Sequence, residues 1–261
     1  MLPLRTYIGF DHRAHVAAHV CYQSIFARAS VPVANTVLVL PQLPITRTGL
    51  TTFTWSRFLV PYLQGYQGLA LFLDSDIILQ ADIAELFALA AKDMTKAVWV
   101  VDYQNPQLRF ERAAVMLFNC SHPDNAVLTP DYIETTNDSL HKISWTQNIG
   151  SLPEEWGHLV MYQPPKHAKL IHYTAGIPAW EETKILGYAN EWFEEANRMG
   201  SIVPYLDLMG NSVHHKHVMQ AWEQYRAQQN AKALAEAEAK VKEQQADDGV
   251  ALQPAAAVSS S

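Results

Sequence analysis

Short apolar runs alternate with stretches whose apolar positions recur every three or four residues along the first half of the chain. Residues 4–10 read as a first strand. Val16, Val20 and Ile25 then lie near one face of a helical stretch over about 12–28. Residues 36–40 form a Val-rich second strand candidate ended by Pro41. A loop rich in Thr, Pro and Gly over 41–54 precedes an amphipathic run at 55–63. Strand 69–74, helix 83–92 and strand 97–101 follow. This alternation predicts an α/β protein with parallel strands covered on both faces by helices.

The second half is less regular. Strand candidates at 115–118, 158–162 and 169–172 are separated by loops containing Pro and Asn. From Ser212 the pattern turns helical, and 221–245 is polar and Ala-rich, with Glu236/Lys240 and Glu238/Lys242 spaced to pair on a helix. Almost no apolar face remains after Tyr225. The expected organisation is a main domain over 1–211, a solvated helix over 212–245 and a disordered tail over 246–261.

With 261 residues and 49% hydrophobic content the chain can bury a sizeable core. Its formal charge of −7 argues against a nucleic-acid or anionic-membrane partner held by a broad basic surface. An anionic small molecule would need a local cation or arginine. The two cysteines, Cys21 and Cys120, form no CxxC and suit a reducing compartment. The first strand begins within a few residues of Met1 and no apolar stretch approaches the ~20 residues that span a bilayer, so a cytoplasmic protein without a transmembrane segment is expected.

The candidate chemistry starts at Asp74-Ser75-Asp76, which closes the apolar run Leu69-Ala70-Leu71-Phe72-Leu73. In an extended chain residues two apart point the same way, so Asp74 and Asp76 can share one hard cation. Two carboxylates with coordination positions to spare suit Mn²⁺ or Mg²⁺, and the end of a strand in an open α/β sheet is where ligands bind. The competing role for Asp-Ser-Asp is a polar turn.

Three segments in order extend this motif: Tyr7-Ile8-Gly9-Phe10-Asp11, Trp55-Ser56-Arg57-Phe58, and Leu71-Phe72-Leu73-Asp74-Ser75-Asp76 followed by Ile83-Ala84-Glu85-Leu86-Phe87. Together they resemble nucleotide-sugar glycosyltransferases of the GT-A fold, and within it family 8, which holds glycogenin and the bacterial lipopolysaccharide galactosyltransferases. The resemblance covers roughly residues 4–180. It implies a Rossmann-like, mixed and mainly parallel sheet flanked by helices. The implied activity is transfer of a hexose from a UDP-sugar to a saccharide or other hydroxyl acceptor, with retention at the anomeric carbon. Mn²⁺ would be held by Asp74, Asp76 and a histidine.

That histidine belongs to a motif written His-x-x-Gly-x-x-Lys-Pro-Trp, matched here by His172-Tyr173-Thr174-Ala175-Gly176-Ile177-Pro178-Ala179-Trp180. His172 and Trp180 keep their spacing. The glycine has slipped by one position, and Pro178 stands where the phosphate-binding lysine is expected. The resemblance further implies donor contacts from Gly9, Phe10, Asp11, Arg57, Ser75, Gly176 and Trp180. Asp102, ending the strand at 97–101, would reach the donor sugar's hydroxyls, and Gln147 would stand beneath the anomeric carbon. Asp11 could equally cap the helix that follows it, and Arg57 could pair with a carboxylate.

Two further enzyme classes also end an apolar strand in acidic residues or share this kind of fold. A phosphatase of the haloacid dehalogenase class uses the first Asp as nucleophile but normally opens the chain with the motif. A nucleotidyltransferase needs a Gly-rich loop near the first strand, where this chain has only Gly9. A non-catalytic nucleotide-sugar-binding relative is the reading from outside the enzymes.

Overall fold

The computed structural model describes residues 2–250. They form two compact units, one reaching Ser201 and the other beginning at Ile202. The first unit contains β1 (Leu4–Gly9), α1 (His15–Phe26), β2 (Val33–Leu38), α2 (Val60–Leu63), β3 (Leu69–Leu73), β4 (Ile77–Leu79) and α3 (Ala84–Ala90). It continues through β5 (Val98–Val101), β6 (Val115–Asn119), α4 (Pro130–Thr135), β7 (Ile149–Leu152), β8 (His158–Leu159), β9 (Leu170–His172) and α5 (Ala189–Gly200).

Six strands build the central sheet in the order β2-β1-β3-β6-β5-β7. The pairs β1–β2, β1–β3 and β5–β7 are parallel, whereas β6 is antiparallel to both β3 and β5. The sheet is therefore mixed and mainly parallel, and β6 alone is reversed. A smaller sheet, β4-β9-β8, pairs β4 antiparallel and β8 parallel to β9.

Two apolar layers sandwich the central sheet. Leu71 and Leu73 of β3, Trp99 and Val101 of β5, and Val115 and Leu117 of β6 pack on one face with Cys21, Ile25, Leu86 and Phe87. Their alternate neighbours Ala70, Phe72, Val98, Val100, Met116 and Phe118 pack on the other with Phe58, Val60 and Ile133. Strands covered on both faces read as unbroken apolar runs, which is why β3, β5 and β6 are plain in the sequence.

Several elements differ from the sequence expectations. The 12–28 helix begins as a 3-10 turn, His12–Ala14, and the 55–63 run divides into a 3-10 turn, Ser56–Leu59, and α2. β2 starts earlier than expected, and the strand at 158–162 is cut to β8 because Met161 turns the chain with φ 72°. β4 and β7 are additions. β7 carries Gly150, where a Cβ would stand 2.1 Å from the Trp99 ring, and exposed Ser151, so it lacks an apolar signature.

The second unit contains α6 (Tyr205–Met209) and α7 (His215–Val250). α7 continues through 246–250, where a disordered tail was expected, and 251–261 lie outside the described residues. No described helix is long and apolar enough to cross a membrane.

Candidate functional site

The site forms at the carboxyl edge of β3. Asp74 leaves the strand with its N–H donating to the Ala114 carbonyl at 2.9 Å, which lays the chain entering β6 against it. Its carboxylate is buried, 3.1 Å from Arg57 Nη1. Arg57 also donates to the Ala113 carbonyl at 2.9 Å, and its guanidinium stands 5.4 Å and 5.2 Å from the Phe53 and Phe72 ring centres. Arg57 is thus a buried clamp joining the Ser56–Leu59 turn, Asp74 and the approach to β6. It is neither a surface arginine nor an open fork awaiting phosphate.

Asp76 and His172 meet because β4 and β9 pair antiparallel with Ile77 opposite His172. His172 Nε2 lies 3.2 Å from Asp76 Oδ1, and the Tyr173 N–H donates to the Asp76 carbonyl at 2.9 Å. Glu111, a residue the sequence reading did not select, completes the cluster. Ligand-type atoms of Asp74, Glu111 and His172 all lie within 4.8 Å of one another.

Asp74 Oδ1 and Asp76 Oδ1 are buried with only their ion-pair contacts to Arg57 and His172, and His172 Nδ1 is buried without a partner. Buried imidazoles normally find a partner for each ring nitrogen, and the unpartnered Nδ1 of His172, in a residue whose ligand-type atom lies within 4.8 Å of those of Asp74 and Glu111, fits a cation-binding set. Burial pushes the Asp74 carboxyl well above the usual carboxylate range, opposed by Arg57 and reinforced by Asp76. Burial works against charge on His172, but the Asp76 carboxylate outweighs it and raises the imidazole to about 9. Oxygen and imidazole donors of this kind suit a divalent ion.

Beside the cluster opens a cleft of ≈ 380 Å³, lined by Asp11, Arg13, Thr51, Ser75, Asp76 and Trp180 among others. Asp11 caps the His12–Ala14 turn, accepting from the Arg13 N–H at 3.0 Å, and also receives Arg13 Nε at 2.8 Å and the Thr52 N–H at 3.2 Å. The Arg13 side chain holds its carboxyl well below the usual range. Arg13 was missed in the sequence reading; its position two residues after a strand-end carboxylate was the available signal.

Gly9 and Gly176 act through space. A Cβ on Gly9 would stand 2.5 Å from the Phe53 ring, which lines the cleft, so glycine lets that ring approach β1. Gly176 has φ 118° and a Cβ there would meet Trp180 at 2.7 Å. Phe10 is placed differently. It lines a separate cavity with Ala18, Tyr22 and Val37, and its carbonyl accepts from Thr52 Oγ1 at 2.5 Å.

Asp102 follows β5 on the same carboxyl edge, its N–H donating to the Leu152 carbonyl at 3.1 Å. Gln147 requires a correction. β7 runs parallel to β5 with Ile149 opposite Val98, and the Ala97 N–H donates to the Asn148 carbonyl at 2.8 Å. Gln147 therefore lies at the amino edge of the sheet, exposed, with the length of the strands between it and Asp74.

No protein-family model matches the sequence. The chain is 34% identical over 226 residues to "Protein CDI" of Arabidopsis thaliana, covering 74% of this chain and 86% of that protein. Among solved structures, the glycosyltransferase GlyE of Streptococcus pneumoniae TIGR4 superposes with a TM-score of 0.53 at 14% identity, over 75% of this chain and 60% of GlyE. The galactosyltransferase LgtC, solved in complex with donor and acceptor sugar analogs, gives 0.51 at 12% identity, over 78% of this chain and 99% of LgtC. The bifunctional WbbM gives 0.53 at 14% identity, and this chain spans 49% of it. At such identities the likeness is one of fold, and that fold is GT-A.

Proposed function

The chain belongs to the family of Protein CDI of Arabidopsis thaliana, and we propose that it is a metal-dependent glycosyltransferase. The proposed reaction moves a hexose from UDP to a saccharide or other hydroxyl acceptor, with retention at the anomeric carbon as the family resemblance implies. The observation that carries this reading is the meeting at His172 of Asp76, 3.2 Å away, and of ligand-type atoms of Asp74 and Glu111 within 4.8 Å, at the strand edge beside the cleft of Asp11 and Trp180.

Asp74, Asp76 and His172 would hold Mn²⁺ or Mg²⁺. When bound, the ion supplies Lewis-acid stabilisation of the charge that builds on the diphosphate leaving group. The remaining work falls to the chain itself. Asp11, fixed by Arg13 and the Thr52 N–H, presents an oriented carboxylate for uridine or ribose. Trp180 offers an exposed indole face as a wall of the cleft, and Gly176 sets its position. Arg13, exposed in the same cleft, carries a cation toward the donor. Asp102 on the neighbouring strand end is the proposed contact to the donor sugar's hydroxyls.

A dehalogenase-type phosphatase would need Asp74 as an accessible nucleophile. Its carboxylate is instead buried against Arg57.

The test is thermal unfolding with UDP in the presence of Mn²⁺ and in EDTA. UDP should raise the unfolding temperature only with Mn²⁺, and Asp76→Asn should abolish that response with an unchanged far-UV spectrum. A panel of nucleotide sugars read by nucleotide release then identifies the donor. Equal stabilisation by UDP in EDTA, or a full response in Asp76→Asn, sinks the metal assignment.

A further inference from the structure

The approach to β6 brings to the metal cluster a carboxylate that neither the Asp-x-Asp spacing nor the family resemblance assigns. Glu111 lies near the end of the 3-10 helix Pro106–Ala114, directly before β6. β6 is antiparallel to β3 with Val115 opposite Leu73, and the Asp74 N–H holds the Ala114 carbonyl at 2.9 Å. The last turn of that helix is thereby laid along the carboxyl end of β3.

Two ligands on one Mn²⁺ or Mg²⁺ ion, each bonded at about 2.1 Å, stand at most about 4.2 Å apart. Adjacent ligands on an octahedral ion stand closer, about 3.0 Å apart, and the atoms of Asp74, Glu111 and His172 lie within 4.8 Å of one another, so side-chain adjustments of up to about an ångström each bring them onto one ion. His172 Nδ1 points to a ligand independently of Glu111. It lacks a hydrogen-bond partner in a residue that is only 2% exposed.

We propose that Glu111 is a ligand of the divalent ion, so that three carboxylates and His172 hold the ion before any nucleotide arrives. The proposal rests on the metal site of the preceding section. Affinity for a hard cation rises with the charge of its ligands, and Glu111 adds a third carboxylate to Asp74 and Asp76 beside Arg57 and His172. A resident ion also answers a local lack. Pro178 occupies the place expected of a phosphate-binding lysine, so that segment supplies no fixed positive charge for a diphosphate.

The experiment is calorimetric titration of MnCl₂ into the nucleotide-free, full-length chain at low and at 0.5 M NaCl (about a 4 Å screening length), with UDP stabilisation measured separately. The wild type should bind one Mn²⁺. Glu111→Gln should bind it at least about tenfold more weakly, since even groups that only support a ligand cost 10–100-fold. The gap should persist at high salt, because direct ligation is screened far less than a field between separated charges. Glu111→Asp, which keeps the carboxylate, should recover part of the affinity; it also decides the case if Glu111→Gln does not fold.

Wild-type affinity in Glu111→Gln, a gap that vanishes at 0.5 M NaCl, or a wild type that binds no Mn²⁺ without nucleotide would overturn the proposal. Tight Mn²⁺ binding that depends on Glu111, with no Mn²⁺-dependent response to UDP, would instead leave this ligand set standing and remove the donor reading.

Discussion

Glu111 and Gln147 occupy matching places in the chain, each a few residues before a strand that pairs with β5. Their surroundings are opposite. β6 runs antiparallel to β5, so the residues before it arrive at the carboxyl edge, where Glu111 stands with Asp74 and His172. β7 runs parallel to β5, so the residues before it arrive at the amino edge, where Gln147 is exposed. Strand direction, which hydrophobic content does not encode, decides which approach can serve a ligand.

The two approaches also differ in what they are built to do. The run before β6 ends in contacts with site residues: Ala113 with Arg57, and Ala114 with Asp74. The run before β7 is packing. Leu140 and Ile143 are in the core, Trp145 stacks on Phe118 with ring centres 6.3 Å apart, and its Nε1 donates to Asn125 Oδ1 at 3.0 Å. Thr146 and Asn148 both bond to Asp124.

The largest expected effect comes from releasing the first approach. Arg57→Met removes the buried partner of Asp74 and the donor to Ala113 while keeping much of the side-chain volume. Removing one member of a buried ion pair typically costs about 3–5 kcal/mol. Urea unfolding in EDTA should show a loss of that order, and saturating Mn²⁺ should restore part of it by giving the Asp74 carboxylate a new partner. A loss under about 1 kcal/mol would mean that the clamp does not hold this approach in place.

How much of this was legible follows the same division. Unbroken apolar runs announced β3, β5 and β6, and the acidic residues closing β3 announced the site edge. His172 and Trp180 were legible only through the resemblance to the family motif, whose spacing they keep. β4 and β7 were missed because one is three residues long and the other holds a glycine against Trp99. Glu111 was missed because a polar residue before a strand is expected at the amino edge of a parallel sheet. Arg57 was legible as a functional arginine or an ion-paired one; its burial depends on Phe72 and Ala113, distant in sequence, as well as on nearby Phe53.

A smaller effect should appear as pH falls. His141, on the approach to β7, is packed between Trp55 and Phe58, with Nε2 3.1 Å from the Thr54 carbonyl. Burial, with the nearby Arg57 charge, lowers its imidazole to about 4. The unfolded chain, titrating at about 6.5, binds the proton more readily, so the contribution of His141 to stability is complete above that pH and is lost as pH falls toward about 4. His141→Gln should be less stable than the wild type at pH 7.5 and should lose less on acidification. Parallel pH profiles for the two proteins would refute a structural role for this histidine. His158, also lowered to about 4 by burial, leaves a residual slope in both.

The smallest effect is expected at Gln147, where the comparison is most exposed to failure. Its side chain is in solvent at the amino edge, and its carbonyl, which accepts from the Ile149 N–H at 3.0 Å, is untouched by a change of side chain. Surface substitutions away from such features usually fall within about 0.5 kcal/mol, which corresponds to roughly a twofold change in an equilibrium constant. Gln147→Ala should therefore keep Mn²⁺ affinity, UDP response and nucleotide release within about twofold of wild type. A large fall in nucleotide release with unchanged Mn²⁺ binding would place a reacting group at Gln147, and only a β7 turned end for end relative to β5 could bring it there.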